Sequence, residues 1–250
     1  MEKKPIVAYC FLTYHHILSL KVWEKYFEKK ENFCVFIHSK MVIEPYHYSF
    51  PVHIIEDPVH TKNKTDISIV RATLHLLKTG FTKRPDITHF IFLTQNCIPL
   101  YSFDQHYTMI SNLKKSCISV IPGNKIERFQ QLSIFLKHRI KHPNRFMKQQ
   151  PNMILTREDV HWFIENDSTN DFERMICPDE HYFVNLFLYL YQKEFIRQQT
   201  HFCNPQLQRT QALYFPYLSK PIIHKIRQMG FSFMRKVDEK TEIDFDYLFS

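Results

Sequence analysis

Glycine is nearly missing from this chain of 250 residues. Only Gly80, Gly123 and Gly230 occur, so neither a P-loop nor a GxGxxG dinucleotide fingerprint can be built, since each needs several glycines in one loop. The six cysteines (Cys10, Cys34, Cys97, Cys117, Cys177 and Cys203) contain no CxxC pair, and most lie in apolar runs. That pattern argues against a disulfide frame or a zinc site and predicts reduced thiols in a cytoplasmic protein. No apolar run approaches the ~20 residues that a bilayer crossing needs. The opening MEKKPIVAYCFLTYHH has the pattern of neither a secretory leader nor an anchor.

What is present points to a folded protein with an anionic partner. Hydrophobic residues make up 44% and charged residues 23%, which excludes wholesale disorder. Lys and Arg number 33 against 25 Asp and Glu, a formal net charge of +8, so nucleotides, phosphates, nucleic acid or a membrane surface are the partners to consider. The length suits one large domain or two small ones.

Short apolar runs alternate with helical patterns over the first 120 residues. Strands are expected at Ile6 to Thr13, Phe33 to Ile37, Val52 to Ile55, Thr88 to Thr94 and Ile118 to Ile121. Helices are expected on the stripe Leu20, Trp23 and Phe27, from Asp66 onward with Val70, Leu74, Leu77 and Phe81, and near Phe103 to Leu113. Strands that are apolar throughout are buried on both faces, which predicts an α/β fold with a mainly parallel sheet and helices on both sides. The stretch from Pro122 to Pro151 turns polar and basic and reads as an exposed connection or lid. Beyond it, a helix beginning at Thr156, an apolar helix over Asp179 to Tyr191, a Gln- and Pro-rich loop, a helix near Pro221 to Arg227, a strand at Phe231 to Met234 and a final acidic helix complete the chain.

Open α/β sheets bind ligands at the carboxyl ends of their strands. Three of those ends are polar here: Thr13-Tyr14-His15, His38-Ser39-Lys40 and Thr94-Gln95-Asn96. The segment Cys177-Pro178-Asp179-Glu180-His181-Tyr182 has two readings. Pro-Asp-Glu is a good helix start, because acids there complement the helix dipole and Pro suits the first turn. The same dipole also keeps a carboxylate ionised, as a general base requires. Near the end, Lys225, Arg227, Arg235 and Lys236 are either a basic surface or a set of cations able to neutralise a pyrophosphate.

Taken in order, LTYHH, FIHSK, TDISIVRATLHLL, HFIFLTQNCIPLYSFDQHY, CPDEHYF and FSFMRKV resemble the Core-2/I-branching-enzyme family of glycosyltransferases, from about residue 6 to 240. The resemblance implies a single GT-A-like, Rossmann-type α/β domain. Residues 1–121 would form the nucleotide-sugar-binding half, and residues 122–250 the half carrying the acceptor side and the catalytic base. It also implies a UDP-sugar donor, inversion at the anomeric carbon and transfer without a metal. The chain reads Thr94-Gln95-Asn96-Cys97 where many GT-A enzymes carry Asp-x-Asp, and hard divalent ions prefer carboxylate ligands.

By position, Glu180 resembles the family's catalytic base and Lys236 its diphosphate-contacting lysine. Arg235 and Arg227 would be accessory cations on the donor side. His38 would lie against the uridine, and Thr13 and Asp66, with Ser68, would complete the donor site. Arg128, Asp179, Asn96 and Gln95 are expected on the acceptor side. No cofactor is implied, and the acceptor would be a glycan, glycoprotein or small molecule. One segment departs from the family pattern. Gln149-Gln150-Pro151-Asn152 stands where many members carry a Gly-Ser-Gln-Trp-type segment lining the acceptor site. The rival functions are a glycan-binding relative without transfer, a nucleic-acid-binding protein using the basic stretch 125–148, and, more weakly, a thiol hydrolase using Cys97 or Cys177.

Overall fold

The computed structural model describes residues 4–41, 47–63, 66–122, 126–203 and 214–249. In chain order the strands and helices begin with β1 (Ile6–Thr13), α1 (Leu20–Phe27), β2 (Phe33–Ser39), β3 (Val52–Ile54), α2 (Ser68–Lys83), β4 (Ile87–Thr94), β5 (Ile98–Pro99) and α3 (Phe103–Ser111). They continue with β6 (Ile121–Pro122), α4 (Ile126–Gln130), α5 (Ile134–Ile140), β7 (Met147–Lys148), β8 (Ile154–Thr156), α6 (Arg157–Glu165) and α7 (Tyr182–Leu186). The last are β9 (His201–Cys203), β10 (Tyr217–Leu218), α8 (Lys220–Gln228), β11 (Phe233–Arg235), β12 (Glu242–Ile243) and α9 (Phe245–Leu248).

The main sheet has the order β3-β2-β1-β4-β8. Its first four strands run parallel, and β8 adds an antiparallel edge to β4. Successive side chains of one strand point to opposite faces, and both faces here are apolar. Ala8, Cys10, Phe36, Phe90 and Phe92 pack with α2, α6 and α7, whereas Val7, Tyr9, Phe11, Ile37, Ile91 and Leu93 pack with α1 and α3. The uninterrupted apolar runs of the sequence thus mark strands buried on both sides. A second sheet, β5-β11-β9, is antiparallel at β5 and parallel at β9. It draws a strand from before residue 121 together with two from after residue 200. Among the described residues no helix is long and apolar enough to cross a membrane.

Three sequence expectations need correction. Residues 118–120 form no strand; Cys117 makes single bridges to Ile154 and Ile196, and only Ile121–Pro122 pairs, with Met147–Lys148. The stretch 122–151 is no exposed lid. Phe129, Leu132, Leu136, Ile140 and Phe146 enter the main core, and their helical spacing was masked by the basic residues between them. The expected helix over 179–191 is broken into a 3₁₀ turn at Pro178–Glu180, α7, and a π-turn at Phe187–Tyr191. The Gln- and Pro-rich loop falls largely at 204–213, outside the described residues.

Gly80 shows why one of the few glycines sits inside a helix. A Cβ built there would lie 3.2 Å from Phe90 and 3.3 Å from Phe36, so α2 rests directly on the sheet. Gly80→Val should destabilise by about 1–3 kcal/mol through overpacking, read from the urea unfolding midpoint. An unchanged midpoint would mean that the helix can lift away from the sheet.

Candidate functional site

The carboxyl ends of β1, β2 and β4 are tied to one another by polar contacts. The Tyr14 amide donates to Gln95 Oε1 at 2.6 Å and the Leu18 amide to the Gln95 carbonyl at 2.9 Å. Ser39 Oγ donates to the carbonyls of Tyr14 and His15, and Thr13 Oγ1 to that of His15. Thr94 Oγ1 donates to Asn96 Oδ1 at 2.9 Å, and the Asn96 carbonyl accepts from the amide of Val237. That last bond brings the Arg235-Lys236-Val237 segment to the end of β4. Lys236 Nζ lies over the Tyr214 ring.

The acid pair approaches from the other half of the chain. Cys177 takes left-handed backbone angles (φ 55°, ψ 56°), a conformation costing a non-glycine residue about 1–2 kcal/mol, and Pro178 then opens the tight turn that carries Asp179 and Glu180. Strand β7 fastens this turn. The Gln149 amide donates to the Glu180 carbonyl at 2.7 Å, and Gln149 Oε1 accepts from the Val184 amide at 2.6 Å. The neighbouring Lys148 Nζ stands 2.8 Å from Glu180 Oε2. Asn152 performs the matching task for the cation. Its Oδ1 accepts from Arg235 at 2.9 Å, while its Nδ2 donates to the Phe92 carbonyl of β4 at 3.2 Å.

Gln149 and Asn152 are both buried, so these two residues of the segment that departs from the family pattern hold the acid turn and the cation from within. Burial and the nearby Glu180 charge push the Asp179 carboxyl up to about 7, and Arg235 opposes that shift only in part. Arg128 reaches Cys177, whose thiol is raised by burial and by the two acids. His181, stacked on Phe146 with Nδ1 2.9 Å from the Met147 carbonyl, is pushed down to about 4 by burial. Among the described residues, four buried polar atoms of this cluster have no hydrogen-bond partner: Arg128 NH1, Gln149 Nε2, Asp179 Oδ1 and Arg235 Nε. Unsatisfied buried groups cost free energy unless water or ligand completes them.

Of the expected residues, Asp179, Glu180, Arg128, Arg235, Asn96 and, through the backbone, Lys236 converge here. Thr13 and Gln95 belong to the strand-end web. Two others are engaged with backbone groups of their own neighbourhoods. His38 has no exposed surface; its Nε2 accepts from the Val59 amide at 2.9 Å, and burial lowers its pKa to about 4. The ring therefore supports the 57–61 segment. Arg227 donates to the carbonyls of Leu100, Tyr247 and Leu248 and packs on Tyr101 and Tyr247, so its fork is engaged in holding α9. Asp66 is an N-terminal brace, with Oδ1 accepting from the Ser68 amide at 2.9 Å. Lys148, Gln149, Asn152 and Cys177 are additional members of the cluster. Only the unusual 149–152 segment could have flagged two of them. A hollow of about 200 Å³ between α2 and α6, lined by Arg71, His75 and Phe163 among others, contains none of these groups.

The sequence model of the Core-2/I-Branching enzyme family matches residues 7–237. The chain belongs to that family and is a glycosyltransferase built on an α/β fold with a mainly parallel central sheet. Among solved structures it is similar to mouse xyloside xylosyltransferase 1, at 9% identity and a TM-score of 0.45 over 79% of this chain and 88% of that one. It is also similar to the galactosyltransferase LgtC, at 12% identity and a TM-score of 0.38 over 74% and 70%. No curated protein matches it in sequence.

The raised Asp179 carboxyl gives a pH test. A carboxyl lifted from 3.8 to about 7 on folding binds protons that the unfolded chain does not, so it lowers native stability as pH rises through that window. Asp179→Asn removes this dependence. Relative to the parent, the variant should gain thermal stability between about pH 4.5 and about pH 7.5 and no further above it. A difference independent of pH would mean that the carboxyl is not raised.

Proposed function

We propose that the enzyme transfers N-acetylglucosamine or xylose from a UDP-sugar to a hydroxyl of a glycan or protein acceptor, with inversion and without a metal ion. The observation that carries this reading is the acid turn Asp179-Glu180 within electrostatic reach of Arg235, which Asn152 ties to β4. Glu180 Oε takes the proton of the acceptor hydroxyl while that oxygen bonds to C1 of the sugar. The bond from C1 to the diphosphate oxygen breaks, and UDP leaves with its electron pair. Arg235 and Lys236 offset the charge that builds on the diphosphate, which is strongest when the donors are fixed beforehand. Glu180 suits the base role better than Asp179. It is half-buried and paired with Lys148, whereas desolvation and the Glu180 charge push the Asp179 carboxyl up to about 7.

Glu180→Gln should keep its fold and lose transfer by about 10²–10⁴-fold, the usual contribution of a general base. Turnover near the parent's would remove Glu180 from that role. Proton NMR of the product from an α-linked donor should show a β linkage, and an α linkage would refute a single displacement.

A further inference from the structure

The corner formed by α4 and α5 is apolar and basic together. Ile126, Ile134, Phe135 and Ile176 are 60%, 74%, 50% and 47% exposed. Leu136 and Ile140 of the same helix are buried, so α5 presents a second apolar edge that the core does not use. The pieces adjoin: the Ile176 amide donates to Gln131 Oε1 at 3.0 Å, and the Ser133 amide to the Asp171 carbonyl. Between Glu127 and Glu158 the sequence holds no acid. Lys137, Arg139, Lys141 and Arg145 lie in that interval and make no ion pair among the described residues. Single exposed apolar residues are ordinary, but a cluster rimmed by cations marks a contact surface.

We infer that this corner docks on an anionic lipid bilayer, with the apolar side chains entering the boundary of the acyl region and the cations meeting lipid phosphates. Charge alone would also suit a single-stranded nucleic acid. Such binders stack bases on aromatic rings, however, and three of the four exposed side chains are isoleucines with no stacking face. The one ring among the four, Phe135, carries the Arg139 guanidinium over one face at 5.6 Å. The corner also borders the acid turn, since Ile176 precedes Cys177 and Arg128 of α4 reaches that thiol. A docked bilayer would therefore lie beside the acceptor side of the cleft. Resting on the transfer reading above, this narrows the acceptor to a hydroxyl on a lipid-carried glycan.

Flotation of the full chain with phosphatidylcholine vesicles containing about 30% phosphatidylglycerol tests the surface. Each cation near such a membrane contributes roughly fivefold in partitioning. Lys137→Glu with Arg139→Glu should therefore weaken flotation more than tenfold, and so should pure phosphatidylcholine. Ile134→Ser with Phe135→Ser should abolish it while lowering the melting temperature only slightly, because the two side chains are 74% and 50% exposed. Three results would each overturn the inference: no flotation, flotation indifferent to the Ile134 and Phe135 changes, or tighter binding to a single-stranded RNA oligonucleotide than to vesicles. Flotation needs no transfer, so Glu180→Gln should float like the parent. Flotation kept while transfer to every acceptor fails would count against the reaction and not against the surface.

Discussion

Two neighbouring carboxyl groups, Asp179 and Glu180, share one tight turn in a part of the molecule where burial makes charge expensive. The chain meets this constraint with side-chain cations brought from three directions. Lys148 comes from β7, Arg128 from α4, and Arg235 from the end of β11. Their balance is incomplete, as the raised Asp179 carboxyl shows. Carboxyls shifted by burial beside specific charge partners mark functional sites more often than packing for stability alone.

The rest of the fold makes that arrangement rigid. The parallel sheet, with apolar faces on both sides, fixes the end of β4; β8 returns along β4, and the turn ahead of it carries Asn152. That one amide ties the Arg235 side chain to a strand of the main sheet, while Gln149, three residues earlier, holds the acid turn. Segment 149–152 therefore sets the spacing between acid and cation, and sites held by packed, hydrogen-bonded supports keep the geometry that chemistry requires.

Much of this was legible in the sequence, for identifiable reasons. Strands β1, β2 and β4 announce themselves because a strand buried on both faces must be apolar at every position. The stripes of α1 and α2 follow from helices with one buried side. The acid turn was visible as a motif, although not its geometry, since the left-handed Cys177 and the π-turn after Leu186 depend on tertiary packing. Residues 122–151 misled because buried and basic residues alternate closely there, and the charge hid Phe129, Leu136 and Ile140. Position in the chain says nothing about whether a polar side chain bonds a neighbouring backbone group, and His38 and Arg227 both do so here.

The central claim is that fixed side-chain cations take the place of a divalent ion in binding a diphosphate. Calorimetric titration of UDP and of uridine in chelator tests it directly. UDP should bind at least about tenfold more tightly than uridine, as a charge-assisted phosphate contact implies, and Lys236→Ala combined with Arg235→Met should erase the difference. Equal affinity for the two ligands, or UDP binding that appears only when manganese is added, would contradict the account.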